Sequence, residues 1–135
     1  MPRSMKNTSH SSEVIALKNE AEGPIPTAWR ETLSAIVEAF VAGDYRLEKG
    51  VANTAPVSAE TASRIREYLQ DYGATLIALP DATWGSSVCI WYGDHWDALV
   101  DLWTQEEGQS DLVLHVRVSE ANSGFLIHIH LVYVP

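Results

Sequence analysis

The segment Trp96-Asp97-Ala98-Leu99-Val100-Asp101-Leu102-Trp103-Thr104 alternates in the manner of a strand with one buried face. Its even-numbered residues through Leu102 are apolar and two of its odd-numbered ones are aspartates. Side chains on an extended chain point to opposite faces at every second residue, so such a pattern buries one row and leaves the other to solvent. The same period runs through residues 84–135 in four segments separated by turns. The apolar rows are Val88, Ile90 and Tyr92; Trp96, Ala98, Val100 and Leu102; Leu112, Leu114, Val116 and Val118; and Phe125, Ile127, Ile129, Leu131 and Tyr133. Tyr92-Gly93-Asp94-His95 suits a tight hairpin turn, and residues 105–110 and 121–124 suit two further turns. The result is an antiparallel meander with one apolar face that must be covered.

Two amphipathic segments precede it. Pro26-Thr27 opens a helix with Thr27 as N-cap, and Trp29, Leu33, Ile36, Val37, Phe40 and Val41 fall on one 3.6-period face before Gly43. Ser58 caps a second helix whose inward residues are Ala62, Ile65, Leu69 and Tyr72, ended by Gly73. Residues 74–79 read as a short edge strand stopped by Pro80, which lacks the amide a ladder needs. The fold class is therefore α+β, with two N-terminal helices packed on one face of a four- to five-stranded antiparallel β-meander, a two-layer sandwich. Residues 1–23 are poor in apolar side chains and read as a flexible tail, with Val14-Ile15-Ala16-Leu17 as the one patch able to dock on a sheet edge. Residues 24–135 form the single domain.

The chain has 18 acidic against 9 basic residues, a formal net charge of -9. That balance repels phosphates and argues against nucleic acid; a neutral or basic protein is the expected partner. The lone Cys89 forms no internal disulfide and fits a reducing compartment. No apolar run of membrane length is present, so a cytoplasmic protein without membrane contact is expected. An unprotected sheet edge leaves a homodimer open.

The polar parity of the meander gathers Trp91, Asp97, Asp101, Trp103, His115, Arg117, His128 and His130, and this row is the candidate binding face. His128 and His130 stand about 7 Å apart along one strand, a spacing able to grip a borderline metal ion. The bland reading of that row is cross-strand pairing of histidines with Asp97 or Asp101. No metal ligand, catalytic residue or cofactor is assigned. Cys89 reads as a small packing residue, since no base accompanies it at a fixed spacing. Glu106 and Glu107 read as a solvated turn and Asp111 as a turn cap. Two of the five tryptophans, Trp91 and Trp103, share the parity of the titratable row, the mixture expected of a recognition surface.

The run from Trp96 through Leu114, Trp-Asp-Ala-Leu-Val-Asp-Leu-Trp-Thr-Gln-Glu-Glu-Gly-Gln-Ser-Asp-Leu-Val-Leu, and the closing Ile129-His130-Leu131-Val132-Tyr133-Val134-Pro135 resemble an uncharacterised family of small acidic bacterial proteins, a domain of unknown function. The resemblance extends from about Ile25 to the C-terminus and takes in Gly43-Asp44-Tyr45 and Leu79-Pro80. It implies a bacterial, cytoplasmic, single-domain protein and brings no activity or catalytic residues with it. Size, acidity and the aromatic-bearing face point to a non-enzymatic protein-binding module, such as an immunity or inhibitor protein for a basic partner. The alternative is a small metal-binding or hydrolytic enzyme using His115, His128, His130 and Asp101 on the open face.

Overall fold

The elements follow in the order β1 (Gly23–Pro24), α1 (Thr27–Val41), α2 (Ala59–Tyr72), β2 (Leu76–Ile77), a 3-10 turn (Asp81–Gly85), β3 (Val88–Trp91), β4 (Trp96–Thr104), β5 (Gly108–Ala121) and β6 (Gly124–Tyr133). They come from a computed structural model that describes residues 13–122 and 124–135. All strands join one six-stranded antiparallel sheet in the order β1-β3-β4-β5-β6, with β2 on β4, so the architecture is α+β. Two strands more than the meander alone are present. β1 pairs Gly23 with Cys89, and β2 pairs Leu76 with Thr104 and Ile77 with Trp103.

Strand β4 organises the sheet. Buried and half-buried residues alternate along all of it, as the sequence predicts. One edge pairs with β5, and the other pairs first with β3 and then with β2, the 3-10 turn filling the gap between them. Thr83 of that turn donates to the Asp101 carbonyl at 2.6 Å, and the Ser87 hydroxyl accepts from the Asp101 amide at 2.9 Å. Trp96, Ala98, Val100 and Leu102 share one buried cluster with Leu112, Leu114, Val116 and Val118 of β5. Trp29, Leu33, Ile36, Val37 and Phe40 of α1 and Ala62, Ile65 and Leu69 of α2 belong to the same cluster. Trp29 meets Trp96 edge-on, 5.4 Å between ring centroids, in the arrangement the ring quadrupoles favour.

The helix ends follow local chemistry. Ser58 accepts from the Thr61 amide at 3.1 Å, and Gly73 closes α2 with φ of 85°, a left-handed conformation that a Cβ would strain. Thr27 is not the cap of α1. Pro26 takes that position without a side-chain bond, and Thr27 turns its hydroxyl outward to accept from the Val14 amide at 2.7 Å.

Three expectations need correction. In β3 the register places Cys89 opposite Ala98 and Trp91 opposite Trp96, so these two residues share the core face, and Val88 and Ile90 take the other. A row of four residues with apolar side chains at both parities carries no period signal, and pairing with β4 decides it. In β6 the register shifts between His115 and Val116 of its partner: His115 pairs with Leu131 but Val116 pairs with Ile129. The extra residue is His130, a bulge that reverses parity, so Val132 is buried in the core and Leu131 and Tyr133 lie on the opposite face. Third, Asp111 lies within β5, which is 14 residues long, and Glu106 and Glu107 are held: Glu106 accepts from the Thr75 amide and hydroxyl, and Glu107 from Tyr72 and Thr104.

The predicted tail reaches residues 1–12, which lie outside the described residues, and its remainder is bound to the domain. Thr27 donates to the Val14 carbonyl at 2.9 Å, Trp96 Nε1 donates to the Leu17 carbonyl at 3.0 Å, and Lys18 pairs with Glu120 while lying over the Trp91 ring. Residues 53–55 cover the β6 edge in a similar way, through Ile127 to Asn53 and Ala55 to Ile127 bonds of 2.8 Å. The Trp96 bond is the buried anchor of the N-terminal strap. Trp96→Phe removes that donor and leaves the Leu17 carbonyl unpaired, at a cost of about 1–2 kcal/mol. Chemical denaturation is expected to show this loss, and limited proteolysis is expected to cut within residues 13–22 faster than in the parent protein.

Candidate functional site

The face of the sheet opposite the helices is set by the odd-numbered residues of β4. Asp97 pairs with Arg117, Leu99 with His115 and Asp101 with Val113 across to β5, and Arg117 then pairs with His128 and His115 with Leu131 across to β6. Val88 and Ile90 extend the face onto β3. Leu99, Leu131, Val88 and Ile90 are half-buried. Val113 is only 5% exposed although it stands outside the main core cluster. The face therefore carries its own small apolar layer.

At its centre Asp97 gathers three cationic or imidazole groups. His115 Nε2 lies 3.3 Å from Oδ2, His95 Nε2 lies 3.4 Å from Oδ1, and Arg117 Nε lies 3.8 Å from Oδ1. None of the contacts to Oδ1 has hydrogen-bond geometry, and that oxygen is buried without a partner. The other His95 nitrogen faces Asp94. On the far side of His115, Nδ1 lies 3.1 Å from the Tyr133 hydroxyl. A carboxylate only accepts, so a neutral His115 carries its proton on Nε2 toward Asp97, and Nδ1 accepts from Tyr133. The chain Tyr133 to His115 to Asp97 is thus consistent in every donor and acceptor. It is able to draw a proton from the phenol, the general-base logic of a histidine oriented by a carboxylate.

The bulge assembles this cluster. His130 packs edge-on against His115, 4.8 Å between centroids, and the reversed parity beyond it brings Tyr133 to His115. Beside the cluster lies a hollow of about 250 Å³ with Leu99, Val88 and Ile90 beneath it, Tyr92, Tyr133, Asp97, His115 and Glu22 around it, and Cys89 at its margin.

The eight residues of the predicted binding row part company here. Asp97, His115 and Arg117 come together, with His130 against His115 and His128 exposed beside Arg117. Trp91 is on the core side, 4.5 Å from Trp96 between centroids. Asp101 takes no part in the histidine cluster: it accepts from Ser86 and from Gln109 and fastens the 3-10 turn. Trp103 lies six residues from Asp97 along β4, about 20 Å by strand rise, beside Gln109. His95 and Tyr133 were missed. His95 sits in a turn where period two carries no information, and Tyr133 reaches the face only through the bulge.

The profile of a family described as Domain of unknown function (DUF7668) matches residues 37–135. The chain belongs to this family. No curated protein and no solved structure matches the chain. The family span holds Asp97, His95, His115, Arg117 and Tyr133, whereas Lys18 and Glu22 of the strap precede it.

Among the described residues no group of three or more His, Cys, Asp or Glu side chains is placed to hold a metal ion, so the His128/His130 pair gains no third ligand. Cys89 donates weakly to the Pro24 carbonyl at 3.5 Å, and burial pushes its thiol up to about 11, which leaves almost no thiolate at neutral pH. No helix among the described residues is long and apolar enough to cross a membrane.

Burial holds the His115 imidazole below its ordinary value of 6.5, against the opposing pull of Asp97. The unfolded chain regains that ordinary value, so below about pH 6.5 it binds a proton that the folded state resists. Stability contributed by neutral His115 is present above that pH and is lost as the pH falls through the lower folded value. Denaturant unfolding measured from pH 7.5 to 5 is expected to show this decline, with a shallower slope in His115→Gln; identical slopes would remove His115 as its source.

Proposed function

We propose that the protein is a binding module that engages a neutral or basic protein through the face of the sheet opposite its helices. One observation carries this reading: that face carries the half-buried aliphatic side chains of Val88, Ile90, Leu99 and Leu131, although the main core is already closed on the other side. A sheet face serving only solvent is polar, whereas an apolar layer around a few placed polar groups is the composition of a recognition surface. The net charge of -9 favours capture of a basic partner and makes association sensitive to salt. A reducing compartment such as a bacterial cytoplasm suits the free, buried Cys89. An immunity or inhibitor role, in which a basic toxin or enzyme is masked, is the form of such binding that fits the small acidic chain best.

The test is to isolate the partner from the source cell at low salt and to measure its affinity for the purified protein. Association is expected to weaken steeply between about 50 and 500 mM salt. Leu99→Ala with Leu131→Ala is expected to cost at least about tenfold, roughly 1.4 kcal/mol, with circular dichroism unchanged. Ile15→Ser with Leu17→Ser, on the exposed strap, is expected to leave affinity unaltered. The opposite pattern would move the surface to the strap and refute the proposal.

The Tyr133–His115–Asp97 chain favours a second reading, acid–base chemistry at the phenol oxygen. Hydrolysis of activated esters faster than by His115→Gln and Tyr133→Phe would support it, with a rate that falls as the pH drops and His115 protonates. Equal rates would dismiss it.

A further inference from the structure

We infer that the hollow over Leu99 is a pocket for one cationic side chain, lysine or arginine, of the protein partner. The inference rests on the binding reading and names the chemistry at its centre. The floor is aliphatic, formed by Val88, Ile90 and Leu99, and matches the methylene stem of such a side chain. Two phenol rings, Tyr92 and Tyr133, stand at the walls, and an aromatic face attracts a cation. The rim supplies two carboxylates, Glu22 from the strap and Asp97 from β4, and no lysine or arginine. The cation nearest to Asp97 is Arg117, which approaches Oδ1 and does not line the hollow. His115, the one basic group on the rim, is held below its ordinary value by burial and is neutral near pH 7. The hollow therefore holds a net negative charge beside an apolar floor.

The volume of about 250 Å³ accommodates one long side chain and excludes a folded element. The Tyr133 hydroxyl, its proton directed at His115 Nδ1, keeps a lone pair for a donor from the guest. The two carboxylates only accept, the Tyr92 and Tyr133 hydroxyls keep lone pairs, and the Cys89 thiol is turned to the Pro24 carbonyl. Ammonium and guanidinium groups are pure donors, so these acceptors match them in hydrogen bonding as well as in charge.

The test uses n-butylguanidinium and n-butylammonium as probes, with n-butylurea as the neutral shape control. Ring signals of His115 and Tyr133 are followed by NMR during titration at pH 7.5. The cations are expected to give saturable shifts at about millimolar concentration, confined to the hollow. Butylurea is expected to bind at least fivefold more weakly. Glu22→Gln, an exposed position whose change leaves the core untouched, is expected to weaken both cations threefold or more, as is added salt. Equal binding of butylurea, or indifference to Glu22→Gln and salt, would overturn the cationic pocket. Such a result leaves the recognition face standing if Leu99→Ala with Leu131→Ala still impairs partner binding, so the two failures are separable.

Discussion

One-sided burial along β4 is the constraint on which the remaining structure depends. The strand is paired at both edges, to β5 on one side with one irregularity between Asp101 and Trp103, and to β3 and β2 in tandem on the other, and its buried and half-buried residues alternate throughout its length. Its even-numbered row fixes which side the helices close, and its odd-numbered row delivers Asp97 and Leu99 to the opposite face. A slip of one residue would exchange Ala98 and Val100 for Asp97 and Asp101 in the core, burying two carboxylates among aliphatic groups. Tandem pairing by two short strands follows from the same demand. The 3-10 turn between them turns Thr83 and Ser87 to the Asp101 peptide, a polar anchor where the apolar pattern leaves an opening.

The helices, the meander and the face borne by β4 and β5 were legible in the sequence, because in each the hydrophobic period is unbroken over several residues. Legibility failed where period gave way to pairing or loop geometry. Val88-Cys89-Ile90-Trp91 is apolar throughout, so nothing local distinguishes its two faces, and Trp91 was placed on the wrong one. His130 is a residue inserted into an otherwise regular strand, and a bulge has no compositional mark when the inserted residue is polar in a polar row. The docking of Val14 to Leu17 has only a faint mark in the sequence because it uses main-chain carbonyls and amides, at Val14 and Leu17, more than burial of its own side chains. Ile15 and Leu17 remain 71% and 63% exposed.

The cluster around Asp97 does little to stabilise the fold. Pairs of partly exposed charges contribute about 0–1 kcal/mol, whereas burying one leucine contributes about 1.5–3 kcal/mol. Drawing a carboxylate oxygen out of water without a hydrogen bond is itself unfavourable, as at Asp97 Oδ1. An aliphatic residue at position 97 would serve the sheet better. Arg117 and His95 moderate a charge that the half-buried setting would otherwise penalise.

The bulge at His130 also fixes how the last strand tolerates change. Substitution there alters one ring, and loss of that one residue would let Ile129 and Leu131 follow each other in regular pairing with Val116 and His115, so that Val132 stays in the core and Tyr133 stays on the histidine face. A chain that kept every residue of β6 but paired it without the bulge would retain the fold's outline and turn Tyr133 toward the core, losing the phenol that completes its central cluster.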